Sequence, residues 1–418
     1  MMRTQNLMVR PIPALSSIKL LSIFFILALM TLPSCALLNH KTSVQKEIQL
    51  GLKTVYTIDV YSEQNTIHTL FSGIDSHSNK RVLKYLKSSD SGDNWFKPVT
   101  INQGLAAVKK SKRGNDFQLA SHNNELMVVW QTQGGEPWTG KLAIALSKDF
   151  GQTWQQVASP VSDKYAKIDQ GYFDLEVDSQ GDFHLVWLDD REEAGNTQGL
   201  RYAQFSKQKG NWNQHTDLEI TACTCCWASI SIDKDDNIHV LYRDDSPRDM
   251  RLISSLDNGQ SWQQSKSAGS FNWEFIGCPH QGGGLINTQL NEKTLLHSVI
   301  WNGKAGNRGI YYSQSELNKD KIAALHPIGG DNSASGDIAA LDNDRIRIIY
   351  TSGDFESTSV ISKISTDGGA TWSDELRLTS DGAEPSHPRI IATPEGFLFF
   401  WTEWQKNGDA LAIFSKLE

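Results

Sequence analysis

Three cysteines crowd into four residues of this chain, Cys223-Thr224-Cys225-Cys226, and Trp227 follows them directly. A second short run, Cys278-Pro279-His280, comes later. Thiolates are ligands for Cu(I) and Zn(II), and an imidazole nitrogen can complete such a set. The spacing is not that of a standard zinc finger. Disulfides are the other reading, because an even number of cysteines in an exported chain is expected to pair, in one of three ways for four thiols. A bond between the adjacent Cys225 and Cys226 would be strained, so one of the two is expected to join Cys278. The compartment favours disulfides, while three thiols in four residues are more than a simple staple needs.

Charged clusters offer a different chemistry. Asp189-Asp190-Arg191 and Arg243-Asp244-Asp245 each place two carboxylates beside a guanidinium, and Arg248 lies just beyond the second. Paired carboxylates can do acid–base work on glycosides. Arginines can grip a carboxylate or phosphate with two bonds. These six residues are the candidate catalytic set, with Trp227, Arg248, His387 and Arg389 as candidate ligand-binding residues. Against this stands mutual pairing of the acids and arginines around a rim. His387 and Arg389, which open the seventh unit, are candidates to face a central channel, with an exposed loop as the alternative for His387; Asp337 opens the sixth unit and Asp174 falls in the third. Trp138 and Trp404 could offer platforms to sugars, although single loop tryptophans more often pack on their own scaffold. His68, His184, His239 and His297 fall in apolar strands and are expected to pack between strands.

A repeat must position these groups. Ser-X-Asp-X-Gly-X-X-Trp occurs at Ser88 to Trp95, Ser147 to Trp154, Ser255 to Trp262 and Ser365 to Trp372. Its aspartates are 59, 108 and 110 residues apart, so the two long gaps predict eroded copies between. Ser206, Gln208, Gly210 and Trp212 form one, and Ser313 and Ser315 mark another. Apolar, β-branched stretches ending in an aromatic give an independent count: Phe71, Trp130, Trp187, Tyr242, Trp301, Tyr350 and Trp401. Seven units follow, each read as four short strands separated by turns. In the fourth unit these are 228–233, 237–242, 250–255 and 261–265. The last unit stops short of a fourth strand, and 45–50 is a spare strand at the other end. An all-β, seven-bladed propeller over 45–418 is predicted, with the amino-terminal strand completing the seventh blade; closure removes exposed edges. In that topology the cysteine loops join adjacent blades and converge near the channel.

The amino terminus reads as a targeting signal. Arg3, Arg10 and Lys19 precede the apolar run Leu20 to Leu32, which is too short to span a bilayer comfortably. Leu32-Pro33-Ser34-Cys35 resembles the lipobox of bacterial lipoproteins. That resemblance implies a signal peptide over 1–34, lipidation of Cys35, a linker over 35–44, a membrane partner through the anchor, and residence in the outer membrane of the cell envelope. Without residues 1–34 the chain carries 37 basic and 48 acidic residues, a net charge of −11. This argues against nucleic acid and anionic lipid surfaces as partners. A monomer is expected.

The four boxes and the blade pattern resemble the sialidase-like, or BNR-repeat, superfamily over nearly all of 45–418. The resemblance implies that the box turns lie on the face opposite the ligand-binding one. Members include exo-sialidases, other glycan-active enzymes and noncatalytic propellers. Sialidases are six-bladed, the alternative architecture here. They also carry an Arg-Ile-Pro element whose sole near match, Arg10-Pro11-Ile12-Pro13, falls inside the signal. The cysteine pattern itself resembles one found in exported BNR-repeat proteins. Three functions follow as expectations: an envelope propeller binding a glycan or protein on the cysteine-bearing face; a sialidase-like glycoside hydrolase; or a copper, zinc or redox protein centred on Cys223, Cys225, Cys226, Cys278 and His280.

Overall fold

The computed structural model describes residues 44–416 except 113, 138, 166, 192–196, 318, 320–321 and 355–356. The signal, Cys35 and Trp138 lie outside the described residues. Seven antiparallel sheets are arranged as blades, each with a strand meander running outward from the channel. Their innermost strands are Leu52–Glu63, Gln118–His122, Gln170–Val177, Ser229–Ile232, Gly283–Leu290, Ser333–Ala340 and Glu384–Thr393. The seven-bladed count therefore holds and the six-bladed alternative does not. Val44–Glu47 supplies the outermost strand of blade 7, pairing antiparallel with Ala410–Lys416. Blade 3 has a fifth strand, Thr216–Cys223, on its third strand Thr197–Ser206.

One apolar cluster fills each seam between neighbouring blades, and the seventh closes blade 7 on blade 1 through Ile48, Leu50, Val55, Leu398 and Phe400. The periodic aromatics make these seams: Phe71, Trp130, Trp187, Tyr242, Tyr350 and Trp401 are all buried. Trp301 is partly buried and donates from Nε1 to the Ser333 carbonyl at 2.9 Å.

The box turns have one geometry. In the second copy the Ser147 hydroxyl donates to Asp149 Oδ1 at 2.9 Å, while the Gly151 amide donates to Ser147 Oγ at 2.9 Å and the Thr153 amide to Asp149 Oδ1 at 2.8 Å. Gly151 sits at φ +80°, and a Cβ there would lie 2.1 Å from the Tyr85 ring of the preceding blade. The hydroxyl of Tyr85 in turn lies 2.7 Å from Nδ1 of buried His68. Tyr202 and Tyr312 repeat this role, bonded to His184 and His297 at 2.8 and 2.7 Å. The histidines thus tie strands together, as expected. Gly151→Ala should destabilise the fold by about 2–4 kcal/mol, combining left-handed backbone strain with overpacking. Gly104, at φ +76° with nothing within 4 Å of an added Cβ, should lose only about 1 kcal/mol as alanine. Urea unfolding of both variants checks the contrast, and equal losses would discount the Tyr85 contact.

Candidate functional site

In an antiparallel meander the first and third turns of every blade share one face. The box turns therefore occupy the face opposite the second turns and the connections between blades. The cysteines belong to that second face. Cys223 ends the extra strand of blade 3, opposite Thr197, and the preceding Ala222 bridges to Asp244 of blade 4. Trp227 is wedged inward, with Nε1 donating to the Gly283 carbonyl at 3.0 Å and its ring against the backbone of Gly114. Only 6% of Trp227 is exposed, so it acts as a packing anchor for the cysteine turn and offers no platform to a ligand.

The turn gathers three buried sulfurs. Cys223 Sγ lies 2.9 Å from Cys226 Sγ and 3.8 Å from Cys225 Sγ, and the third side of the triangle is 4.0 Å. Cys278 is exposed, with its sulfur 3.7 Å from Thr224 Oγ1. Cys225, Cys278 and His280 also bring their ligand atoms within 4.8 Å of one another. All four described cysteines are free, so the expected disulfides are not present among the described residues. The tight turn faces its three thiols at one another, and Cys278 rests on the Thr224 hydroxyl instead of bonding Cys225 or Cys226.

Two arginines brace this cluster. Arg243 is 2% exposed and donates to the backbone carbonyls of Gln281, Arg248 and Trp301 at 3.0, 2.6 and 2.7 Å. Among the described residues no carboxylate stands within 4.0 Å of it. Arg248 donates to Cys223 Sγ at 3.2 Å and to the Phe275 carbonyl at 2.7 Å, and pairs with Asp245 at 2.9 Å. Thiol hydrogen bonds from Cys225 and Cys226, with Arg243 nearby, hold Cys223 well below the usual thiol range against the cost of burial. Hydrogen bonding to Cys223 pushes Cys225 up, and burial pushes Cys226 up. Burial, and Lys112 beside it, lower the pKa of His280 and keep its imidazole neutral.

The charged loops are largely self-satisfied. Asp189 is fully buried and receives Trp187 Nε1 at 2.9 Å, Arg191 Nε at 2.8 Å, Arg191 Nη2, and Arg201 Nε at 3.2 Å. Arg191 continues to His215 Nε2 at 3.0 Å. Asp190 accepts the Asp169 amide at 3.2 Å, and Asp244 pairs with Arg251 at 3.5 Å. Burial raises the pKa of both Asp190 and Asp244.

A third set lines the channel and was half legible in the sequence. Asp59, Asp174, Asp337 and Arg389 occupy one register position of their inner strands, opposite Leu70, Val186, Ile349 and Phe400. Each carboxylate accepts an amide of the next blade: Leu119 at 2.9 Å, Ile230 at 2.8 Å and Ile390 at 3.0 Å. They border a cavity of about 340 Å³. Arg389 Nη2 lies 3.6 Å from Asp59 and 3.8 Å from Asp116. His387 sits at φ +53° in a bulge, with Nδ1 3.3 Å from Thr402 Oγ1. Asp59 and Asp116 were not anticipated, although Asp59, Asp174 and Asp337 stand at similar distances, 12, 13 and 13 residues, before the aromatics Phe71, Trp187 and Tyr350.

The BNR/Asp-box repeat family model matches residues 363–374. No curated protein matches the chain in sequence. Among solved structures, the PL25 ulvan lyase is similar, with 14% identity over 90% of this chain and 96% of that one, and a TM-score of 0.57. A protein of unknown function from Dyadobacter fermentans covers 78% of this chain and 98% of its own at 13% identity and a TM-score of 0.51. The NanB sialidase of Streptococcus pneumoniae covers 75% of this chain and 67% of its own at 10% identity and a TM-score of 0.50. In fold the chain is a seven-bladed β-propeller, and it carries the Asp-box repeat.

Proposed function

We propose that this propeller binds a soft metal ion, Cu(I) foremost, at Cys223, Cys225 and Cys226. The observation that carries the reading is three buried, unbonded sulfurs near a buried guanidinium that has no carboxylate partner among the described residues. Buried charges are paired or serve metals; Arg243 is near enough to favour the Cys223 thiolate, and Arg248 donates to Cys223 Sγ at 3.2 Å. Sulfurs bound at about 2.3 Å to one ion stand about 3.8–4.0 Å apart. The pairs involving Cys225 already meet that separation, at 3.8 and 4.0 Å, and Cys223 and Cys226 need to part from 2.9 Å. Three sulfurs suit Cu(I), whereas structural Zn(II) takes four ligands. Protein purified anaerobically and supplied with Cu(I) should retain at least one ion per chain after desalting. Retention of none by chains with four reactive thiols would rule the reading out.

A glycan is the second reading. The fold likeness to glycan-active propellers supports it, and so do Asp190 and Asp244, whose raised pKa values suit proton transfer. Asp190→Asn and Asp244→Asn should each abolish any polysaccharide cleavage found in a substrate screen; unchanged rates would leave the acids structural. Attachment to the envelope is part of the same proposal and rests on Leu32 to Cys35. Cys35→Ser should release the protein from the membrane fraction.

A further inference from the structure

Resting on the metal-binding reading, we propose that the centre consists of two subsites that share the sulfur of Cys225. The inner one is Cys223, Cys225 and Cys226, all buried; the outer one is Cys225, Cys278 and His280, of which the last two are exposed. Cys225 belongs to both sets, and its sulfur can bridge two soft ions as thiolates do.

The outer ligands are held in place. The Thr224 hydroxyl meets Cys278 Sγ at 3.7 Å, docking the second loop over the cysteine turn. His280 adopts a left-handed backbone, φ +52°, which a non-glycine residue keeps only where its surroundings enforce it. The next residue is fastened on both sides: the Gln281 carbonyl accepts Arg243 Nε at 3.0 Å, and its side-chain oxygen accepts the Ser335 amide of blade 6 at 2.9 Å. Exposed and buried ligands therefore stand in a fixed relation, with one sulfur between them.

That arrangement gives a route from solvent to the interior. An ion arriving from a carrier binds Cys278 and His280 together with Cys225. It moves inward as its bonds to Cys278 Sγ and the imidazole break and bonds to Cys223 and Cys226 form. The bond to Cys225 persists throughout. Protons displaced from the inner thiols pass to Cys278 and to water, and no electron is transferred, so the ion remains Cu(I). A second ion can then occupy the vacated outer ligands.

Cu(I) delivered as its bicinchoninate complex, anaerobically, to the full folded protein distinguishes the cases. Two ions per chain are expected for the natural sequence. Cys278→Ser with His280→Ala should retain one ion, resistant to chelator. Cys223→Ser with Cys226→Ser should retain one that chelator removes quickly. Cys225→Ser should retain none. Circular dichroism melts identify any variant that has lost its fold, and the exposed Cys278 and His280 pair makes the first variant the secure one. A capacity of one in the natural protein, lost equally from both double variants, would mean that all five ligands serve one ion and would overturn the two-subsite proposal alone. A capacity of zero would overturn the metal reading itself.

Discussion

Arg243→Met should lower the unfolding free energy by about 3–5 kcal/mol, the usual loss when one partner of a buried charge cluster is removed. The guanidinium spans three backbone carbonyls: Gln281 and Arg248 in two different loops, and Trp301 in the strand Lys293–Asn302 of blade 5. Methionine fills a similar volume and donates nothing, so those carbonyls lose buried donors. The cysteine cluster also loses the cation that favours its thiolate. The variant should therefore show a second effect, weaker retention of Cu(I), that a purely structural arginine would not produce. Arg243→Lys should recover metal retention better than stability, because an ammonium keeps the charge but lacks the planar fork. Urea unfolding measures the first effect and chelator competition the second. If Arg243→Met binds the metal as the natural protein does, Arg243 is a brace for loops and nothing more.

Arg389→Met should cost a similar amount at pH 8, about 3–5 kcal/mol, and clearly less at pH 5. The reason lies in the channel. Burial pushes the Asp59 carboxyl up to about 7 even though Arg389 opposes it. An acid whose folded pKa exceeds its unfolded value binds more protons in the folded state. Stability then falls as pH rises from about 4 to about 7, by at most about 4 kcal/mol for a shift of this size. Removing Arg389 raises Asp59 further, so the decline extends above pH 7. Asp59→Asn should shrink it, leaving the part that belongs to Asp174, whose carboxyl burial also raises. Carboxylates of the opposite kind act lower on the scale: burial raises Asp178, but His184 and the Asp182 amide outweigh it and hold Asp178 at about 2. Its contribution disappears as pH falls below about 4, outside the window that reports the channel. Equal destabilisation of Arg389→Met at pH 5 and pH 8 would show that the channel carboxylates do not titrate as described.

The propeller was legible because two independent periodicities, the box and the buried aromatic, ran through the chain in the same phase. Strand edges were less so. In the fourth blade 261–265 was expected as the outer strand, whereas Lys266–Ser267 forms it, because Trp262 turns to pack on Tyr202 of the preceding blade. The extra strand Thr216–Cys223 alternates polar and apolar residues, yet a four-stranded template left no place for it. Convergence of the cysteine loops followed from blade adjacency alone. What those loops contain could not be read locally. Arg243 looked like a rim or catalytic charge, but its partners are carbonyls up to 58 positions away. Asp189 looked like half of an acid pair, but Arg201, 12 positions on, completes its enclosure. Trp227 looked like a ligand-binding residue, but Gly114 and Gly283 from two other blades surround it. Side-chain chemistry was visible in each case; the long-range contact that decides its role was not.

The strand that closes the ring has a mechanical side. Val44 to Glu47 pair in register with Lys416 to Ile413, and the Ile48 amide adds a bond to the Ala412 carbonyl at 3.0 Å. Tension applied at the amino terminus runs along this strand and loads the ladder in shear, so its bonds resist together and do not unzip one by one. Ile48 and Leu50, just behind it, are buried in the seam between blades 7 and 1. A tether attached ahead of Val44 would therefore pull on the latch of the ring, and the force that frees that latch would also open the propeller.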